Sequence, residues 1–285
     1  MKTYLECYPC FLKQALSAAR RAGGTEEQQL SVIRRTMEIL KKLDAGAIPP
    51  EIARHVHHAV REEISCPDPY REAKQQSTEQ ALVLLPELRR LIEESSDPMD
   101  TAIRLAIAGN IMDLGVMEDF GNLQNTIDRV LKQQFAIDHT AELRELLETA
   151  DHLLYLGDNT GETVFDRALI ERISIPVVYA VKGSPVLNDA TEQDAIEAGL
   201  DTITTILSNG SDVPGTLLNL CSEEFKDAFE KAPVIIAKGQ GNYESLSDAG
   251  SKVFCMLQIK CPVIGIDIGA PKGSIVCYRS GNKSK

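Results

Sequence analysis

The sequence is short of everything that would place it in a membrane, outside the cell or on nucleic acid. No uncharged apolar run approaches the ~20 residues needed to cross a bilayer. The opening MKTYLECYPC lacks the apolar region of a secretory leader. Basic residues are outnumbered by acidic ones, 30 to 42, for a formal charge of -12. That balance argues against a nucleic-acid partner, whose affinity rests on lysine and arginine neutralising phosphates. The seven cysteines are an odd number and include a single CxxC. They do not make a secreted disulfide framework, so the cytoplasm is the expected compartment. No GxxxxGK[ST] run is present, which excludes a P-loop, and no GxGxxG follows the first strand, which disfavours a dinucleotide site. Internal repeats and low-complexity tracts are absent as well.

What is present is an ordinary globular composition, 43% hydrophobic and 25% charged over 285 residues, enough for one large domain or two smaller ones. Residues 1–150 read as helices. Thr25 followed by Glu26 and Glu27 starts one, and Pro49-Pro50 opens another. Pro86 predicts a break or kink in a long helix beginning near Tyr70. From His152 the period changes. Leu153–Gly157, Ile175–Val181, Thr202–Leu207, Val234–Ala237 and Val253–Ile259 read as buried strands. Helical stretches lie between them, near Glu162–Arg172, Thr191–Ala198, Pro214–Lys231 and Tyr243–Ala249. The 262–285 tail is ambiguous: Ile264–Ile268 fits a strand or a short helix, and Ser274–Tyr278 a last strand. Strand alternating with helix implies a doubly wound, mainly parallel sheet. The expected fold class is therefore α/β, with an N-terminal all-helical domain over 1–150 and a C-terminal α/β/α domain over 151–285.

In open α/β sheets ligands bind beyond the carboxyl ends of the strands. Four successive strands here end in GDNTGE (157–162), KGSPVLND (182–189), SNGSD (208–212) and KGQGNYE (238–244). One such loop is ordinary turn chemistry; four on one sheet edge call for another explanation. Asp158, Asn159 and Asp189 are hard oxygen donors suited to a divalent cation such as Mg or Mn. Lys182, Lys238 and the helix-start N–H groups after Gly161 and Gly241 suit an anion. A cation beside an anion-binding rim is the arrangement that holds and polarises a phosphate. Asp158 or Glu162 could accept a proton there, although Glu162 also fits as a first-turn residue favoured by the helix dipole.

These stretches resemble the metal-dependent damage-control phosphatases, the family long called domain of unknown function 89. GDNTGE, KGSPVLNDATEQD and KGQGNYESL carry the resemblance. CYPC (Cys7, Cys10), DPY (68–70), AGNIMD (108–113) and KCPVI (260–264) follow the same order, so it covers nearly the whole chain. The CxxC matches the largely prokaryotic branch. The resemblance implies a helical part followed by an α/β/α part, with Asp158, Asn159 and Asp189 as ligands of Mn, Co, Ni or Mg. It implies that Lys238, with the loop through Gly239 and Asn242 to Glu244, contacts the substrate phosphate. It also implies that Asn110 and Asp113, three residues apart on one helical face, reach the site from the helical part. Small phosphorylated metabolites such as sugar phosphates are the implied substrates.

Other residues stay open at this level. Cys7 and Cys10 could form half a zinc site, completed by Cys66 or a histidine, or a reversible disulfide, or simply pack in a helical core. Cys221, Cys255, Cys261 and Cys277 read as core or strand residues. His55, His57 and His58 read as a solvated helix face, with His57 turned away from the other two. Two further functions remain as alternatives. One is an S-adenosylmethionine-dependent carboxyl methyltransferase, which one branch of the family was proposed to be and whose expected glycine-rich first loop is missing. The other is a non-enzymatic metabolite-binding or redox module using Cys7 and Cys10.

Overall fold

The structure is a computed structural model that describes residues 1–44, 46–109 and 120–281. Asn110 and Asp113 lie outside the described residues. Helices α1 (Cys7–Arg21), α2 (Glu26–Lys41) and α3 (Pro49–Ile64) come first. Thr25 and Gln28 close a capping box on α2, satisfying two otherwise orphaned N–H groups. The two prolines start α3, and Ser65 ends it in the left-handed region at φ 54°. Next come α4 (Arg71–Glu93), which continues through Pro86 rather than ending there, α5 (Pro98–Gly109), α6 (Phe120–Lys132) and α7 (Thr140–Thr149). A two-residue strand, β1 (Ile137–Asp138), sits between α6 and α7 and has no counterpart in the sequence reading. It is too short to leave a periodic signal.

The remainder alternates: β2 (Leu153–Leu156), α8 (Glu162–Ile170), β3 (Val177–Val181), α9 (Glu192–Glu197), β4 (Thr205–Ser208), α10 (Glu223–Lys231), β5 (Val234–Lys238), α11 (Gly239–Leu246), β6 (Val253–Gln258), α12 (Pro262–Ile268) and β7 (Ile275–Arg279). The expected helix over Pro214–Lys231 is helical only from Glu223, apart from a 3-10 turn at Leu218–Leu220. KGQGN is no open loop either, because α11 starts directly after Lys238. The ambiguous segment before β7 is a helix, started by Pro262 and ended by Gly269.

The seven strands form one sheet in the order β1-β7-β6-β5-β2-β3-β4, parallel except where β7 runs antiparallel to β6. From its centre the chain winds one way through β2, β3 and β4 and the other way through β5, β6 and β7. The topological switch therefore lies between β2 and β5, the crevice where such sheets bind ligands.

Alternation along the strands builds two cores. Leu153, Tyr155, Tyr179, Ile236 and Phe254 face α4, α5 and α8, while Leu154, Leu156, Ile235, Cys255 and Leu257 face α10, α11 and α12. A third cluster, with Phe11, Val32, Ile52 and Val56, belongs to α1–α3. The cores thus divide the chain differently from a boundary at residue 150: α4, α5 and α7 pack on the sheet with α8. His57 departs from the solvated-face expectation. It is buried at 2% exposure against Tyr70, while His55 and His58 are exposed. Burial lowers its pKa to about 4, with Arg61 adding to the effect.

Candidate active site

Leu156 of β2 lies opposite Ala237 of β5, so the residues just beyond them leave the sheet together at the switch. Gly239 takes φ +78°, and a Cβ there would stand 1.8 Å from Asp158 Oδ2. Only glycine lets the start of α11 approach that carboxylate. The loops after β2 and β3 are zipped together by Ala190 N donating to Asp158 O at 2.8 Å and by a bridge pairing Asn159 with Asp189. Residues 30 positions apart in sequence thereby meet, and Asp158, Asn159 and Asp189 all line one cavity.

A cation would relieve the electrostatics of this set. Burial pushes the Asp158 carboxyl well above its usual range, and Asp189 and Glu162 push the same way. The buried Lys182 ammonium lies 3.4 Å from Asp189 Oδ2 and donates to Gly215 O. Two carboxylates and an amide form a hard-oxygen set that fits Mg or Mn, and a divalent charge would offset the repulsion between the carboxylates. Among the described residues, no three acidic, cysteine or histidine side chains are gathered for a metal. The candidate set has two acids, and its third member is an amide.

Beneath these residues is a charged layer that faces no solvent. Lys238 Nζ donates to Glu162 Oε1 at 2.7 Å, to Ala106 O at 2.9 Å and to Asp166 Oδ1, and both Lys238 and Glu162 are fully buried. Asp166 also accepts from Tyr155 OH at 2.7 Å and Tyr179 OH at 2.8 Å. Asn242 Nδ2 donates to Lys238 O at 2.8 Å and its Oδ1 accepts from Thr216 at 2.8 Å, pinning α11 to the strand end.

The cavity, of about 390 Å³, opens between α1 and α3 on one side and the sheet edge on the other. Of the sequence-chosen residues, Asp158, Asn159, Asp189 and Glu244 reach its wall, whereas Glu162, Lys182, Lys238, Gly239 and Asn242 do not. Lys238 is therefore placed as an internal counter-charge, away from the surface where a phosphate would be held. Burial raises the Glu244 carboxyl to about 8, so near neutral pH it presents a proton to the cavity.

Lys260, two residues past β6, brings a cation to the wall beside Gln240 and Gly241 of the first turn of α11, and Arg21 of α1 brings another. Sequence reasoning gave Lys260 no role, although the strand-end rule applied to β6 would have found it. It gave none to Asp166, Tyr155 and Tyr179 either, whose polar groups read as helix surface and strand core. Cys7, Cys10 and Cys261 share the wall, and burial raises the thiol pKa of Cys7 and Cys10.

Comparison with known proteins finds relatives over nearly the whole chain. A family model described as the damage-control phosphatase ARMT1-like domain matches residues 3–276. A damage-control phosphatase of Pyrococcus horikoshii is 35% identical, covering 98% of this chain and 99% of its own. Another, from Archaeoglobus fulgidus, is 31% identical over 97% and 98%. An uncharacterised protein of Methanocaldococcus jannaschii is 35% identical over 93% and 92%. The crystal structure of a DUF89 family protein from Pyrococcus horikoshii superposes with a TM-score of 0.91 at 34% identity, covering 98% of this chain and 99% of that one.

Proposed function

The chain belongs to the damage-control phosphatase ARMT1-like family, and from that premise we propose that it is a divalent-metal-dependent phosphatase of small phosphomonoesters, sugar phosphates among them. The observation that carries this reading is the pair of buried carboxylates with an amide, set at the sheet's switch point and opening onto a cavity whose wall also carries Lys260. Asp158, Asn159 and Asp189 would hold the cation, and a bound Mn, Mg, Co or Ni ion supplies Lewis-acid polarisation of the phosphoryl group. Lys260 and the first-turn N–H groups of α11, which have no intrahelical carbonyl to bond, hold the remaining phosphoryl oxygens. Glu244, protonated below about 8, donates a hydrogen bond to the ester's organic part. The apolar wall from Phe11, Pro49 and Leu187 excludes water from the reacting face.

A cavity of about 390 Å³ suits a small metabolite. The acidic balance of the chain speaks against nucleic acid, and no described helix is long and apolar enough to cross a membrane. We read the cytoplasm as its compartment. The test is phosphate release from p-nitrophenyl phosphate and a sugar-phosphate panel with Mg, Mn, Co and Ni. Metal-dependent release that falls at least ~100-fold in Asp158→Ala is the expected outcome, since one of the two charged ligands is lost. Release that ignores metal, or a variant as fast as the native protein, refutes the reading.

A further inference from the structure

We infer that Glu162, held by the buried Lys238 ammonium, is a positioning residue that fixes which end of the Asn159 amide faces the cavity, and so makes its carbonyl oxygen a cation ligand. The inference rests on the metal reading above and assigns the buried layer a task within it.

Asn159 Nδ2 lies 2.9 Å from Asp158 Oδ2 and 3.0 Å from Glu162 Oε2. Glu162 accepts from the Lys238 ammonium through Oε1, so its other carboxylate oxygen offers Asn159 only an acceptor, and that contact is an N–H donation. A reversed amide would set its oxygen against the Glu162 carboxylate oxygen. The orientation follows from the chemistry of the neighbours, and it leaves Oδ1 as the atom of Asn159 available to the cavity it lines. Asp158 alone is a poor anchor, because its own oxygens turn to the cation when one binds. Glu162 lies outside the proposed ligand set and cannot turn. Its Oε1 is held at 2.7 Å by Lys238, whose three N–H groups are all spoken for by Glu162, Asp166 and Ala106 O. Asp166 is fixed in turn by the Tyr155 and Tyr179 hydroxyls. The chain of contacts runs from the sheet core to one face of one amide.

The consequence is specific. In Glu162→Gln the side-chain oxygen stays with the Lys238 ammonium, and the new NH2 group meets the Asn159 NH2 group. Asn159 then turns over and offers the cavity its NH2 group, whose nitrogen lone pair is delocalised into the carbonyl and does not ligate a cation. Mn(II) binding, followed by the electron paramagnetic resonance of free Mn(II) during titration of the full chain, should weaken roughly 10- to 100-fold, as when an outer partner of a ligand is lost. Asn159→Ala should weaken it comparably. Adding Glu162→Gln to Asn159→Ala should cost nothing more, because the orienting residue then has nothing to orient.

Losses that multiply in the double variant, or native affinity in Glu162→Gln, overturn the inference alone. A native protein that binds no Mn(II) overturns the metal reading and the inference with it. If Glu162→Gln does not hold the native fold by circular dichroism, the native protein decides. On Mg titration the Asn159 side-chain N–H signals should stay protected from exchange while its Cγ resonance shifts. Fast-exchanging N–H signals, or an unmoved Cγ, overturn it.

Discussion

At the residue scale, the informative side chain is Lys238. An ammonium at 0% exposure is tolerable only with full compensation, and it has two carboxylates and a carbonyl. Burial works against its charge, but Asp166 and Glu162 outweigh it and hold its pKa above the usual lysine value. Lys238→Met should therefore destabilise the fold by about 3–5 kcal/mol in a urea titration, since two buried acids lose their counter-charge. His57 behaves oppositely, being buried and neutral. With a folded pKa of about 4, below the ordinary value of 6.5, it binds fewer protons folded than unfolded between those two values. Its share of stability is present above pH 6.5 and lost as pH falls toward 4. Chemical denaturation should show that loss, about 3 kcal/mol, shrinking in His57→Phe. The phenyl ring also removes a buried Nε2 with no hydrogen-bond partner among the described residues.

At the scale of elements, the junction of β5 and α11 decides the site. Strand and helix meet with no intervening loop, Gly239 supplying the turn at φ +78° in contact with Asp158. A Cβ there costs about 1–2 kcal/mol in backbone strain, and it also displaces a proposed ligand. Gly239→Ala should lower the melting temperature without metal and lose the further rise that Mn gives the native protein. Thermal melts with and without Mn measure both effects. The strand ends themselves were legible in the sequence, because an apolar run ending in Gly-Asp-Asn or Lys-Gly marks where a strand leaves the sheet. That the last of these opens directly into a helix was not, since glycines at positions 239 and 241 read locally as loop.

At the scale of the molecule, the cavity exists because α1 and α3 stand over the sheet edge. Asp212, in the loop after β4, ties α3 down by accepting from both Arg54 and Arg61, the latter at 2.9 Å, and Arg61 reaches Pro185 O at 2.8 Å. Burial alone would raise the Asp212 pKa, but the two guanidinium groups hold it below the usual value. Asp212→Asn should cost about 1–2 kcal/mol, partly exposed pairs being worth less than buried ones. Hydrogen exchange should quicken in α3 before it does in the sheet.

The sequence by itself determined the α/β class, nearly every strand, and that Asp158, Asn159 and Asp189 stand in the loops at strand ends, because apolar period and strand-end chemistry are local signals. Tertiary structure alone decided which charged residue faces the cavity and which lies under it. Lys238 ends β5 and Lys260 lies two residues past the parallel β6, and nothing within a few residues of either says which one is to be buried. The difference comes from Glu162 and Asp166 on α8 and Ala106 on α5, which close over Lys238 from up to 132 positions away. Burial of a charge is set by what packs upon it, and that partner is distant in sequence.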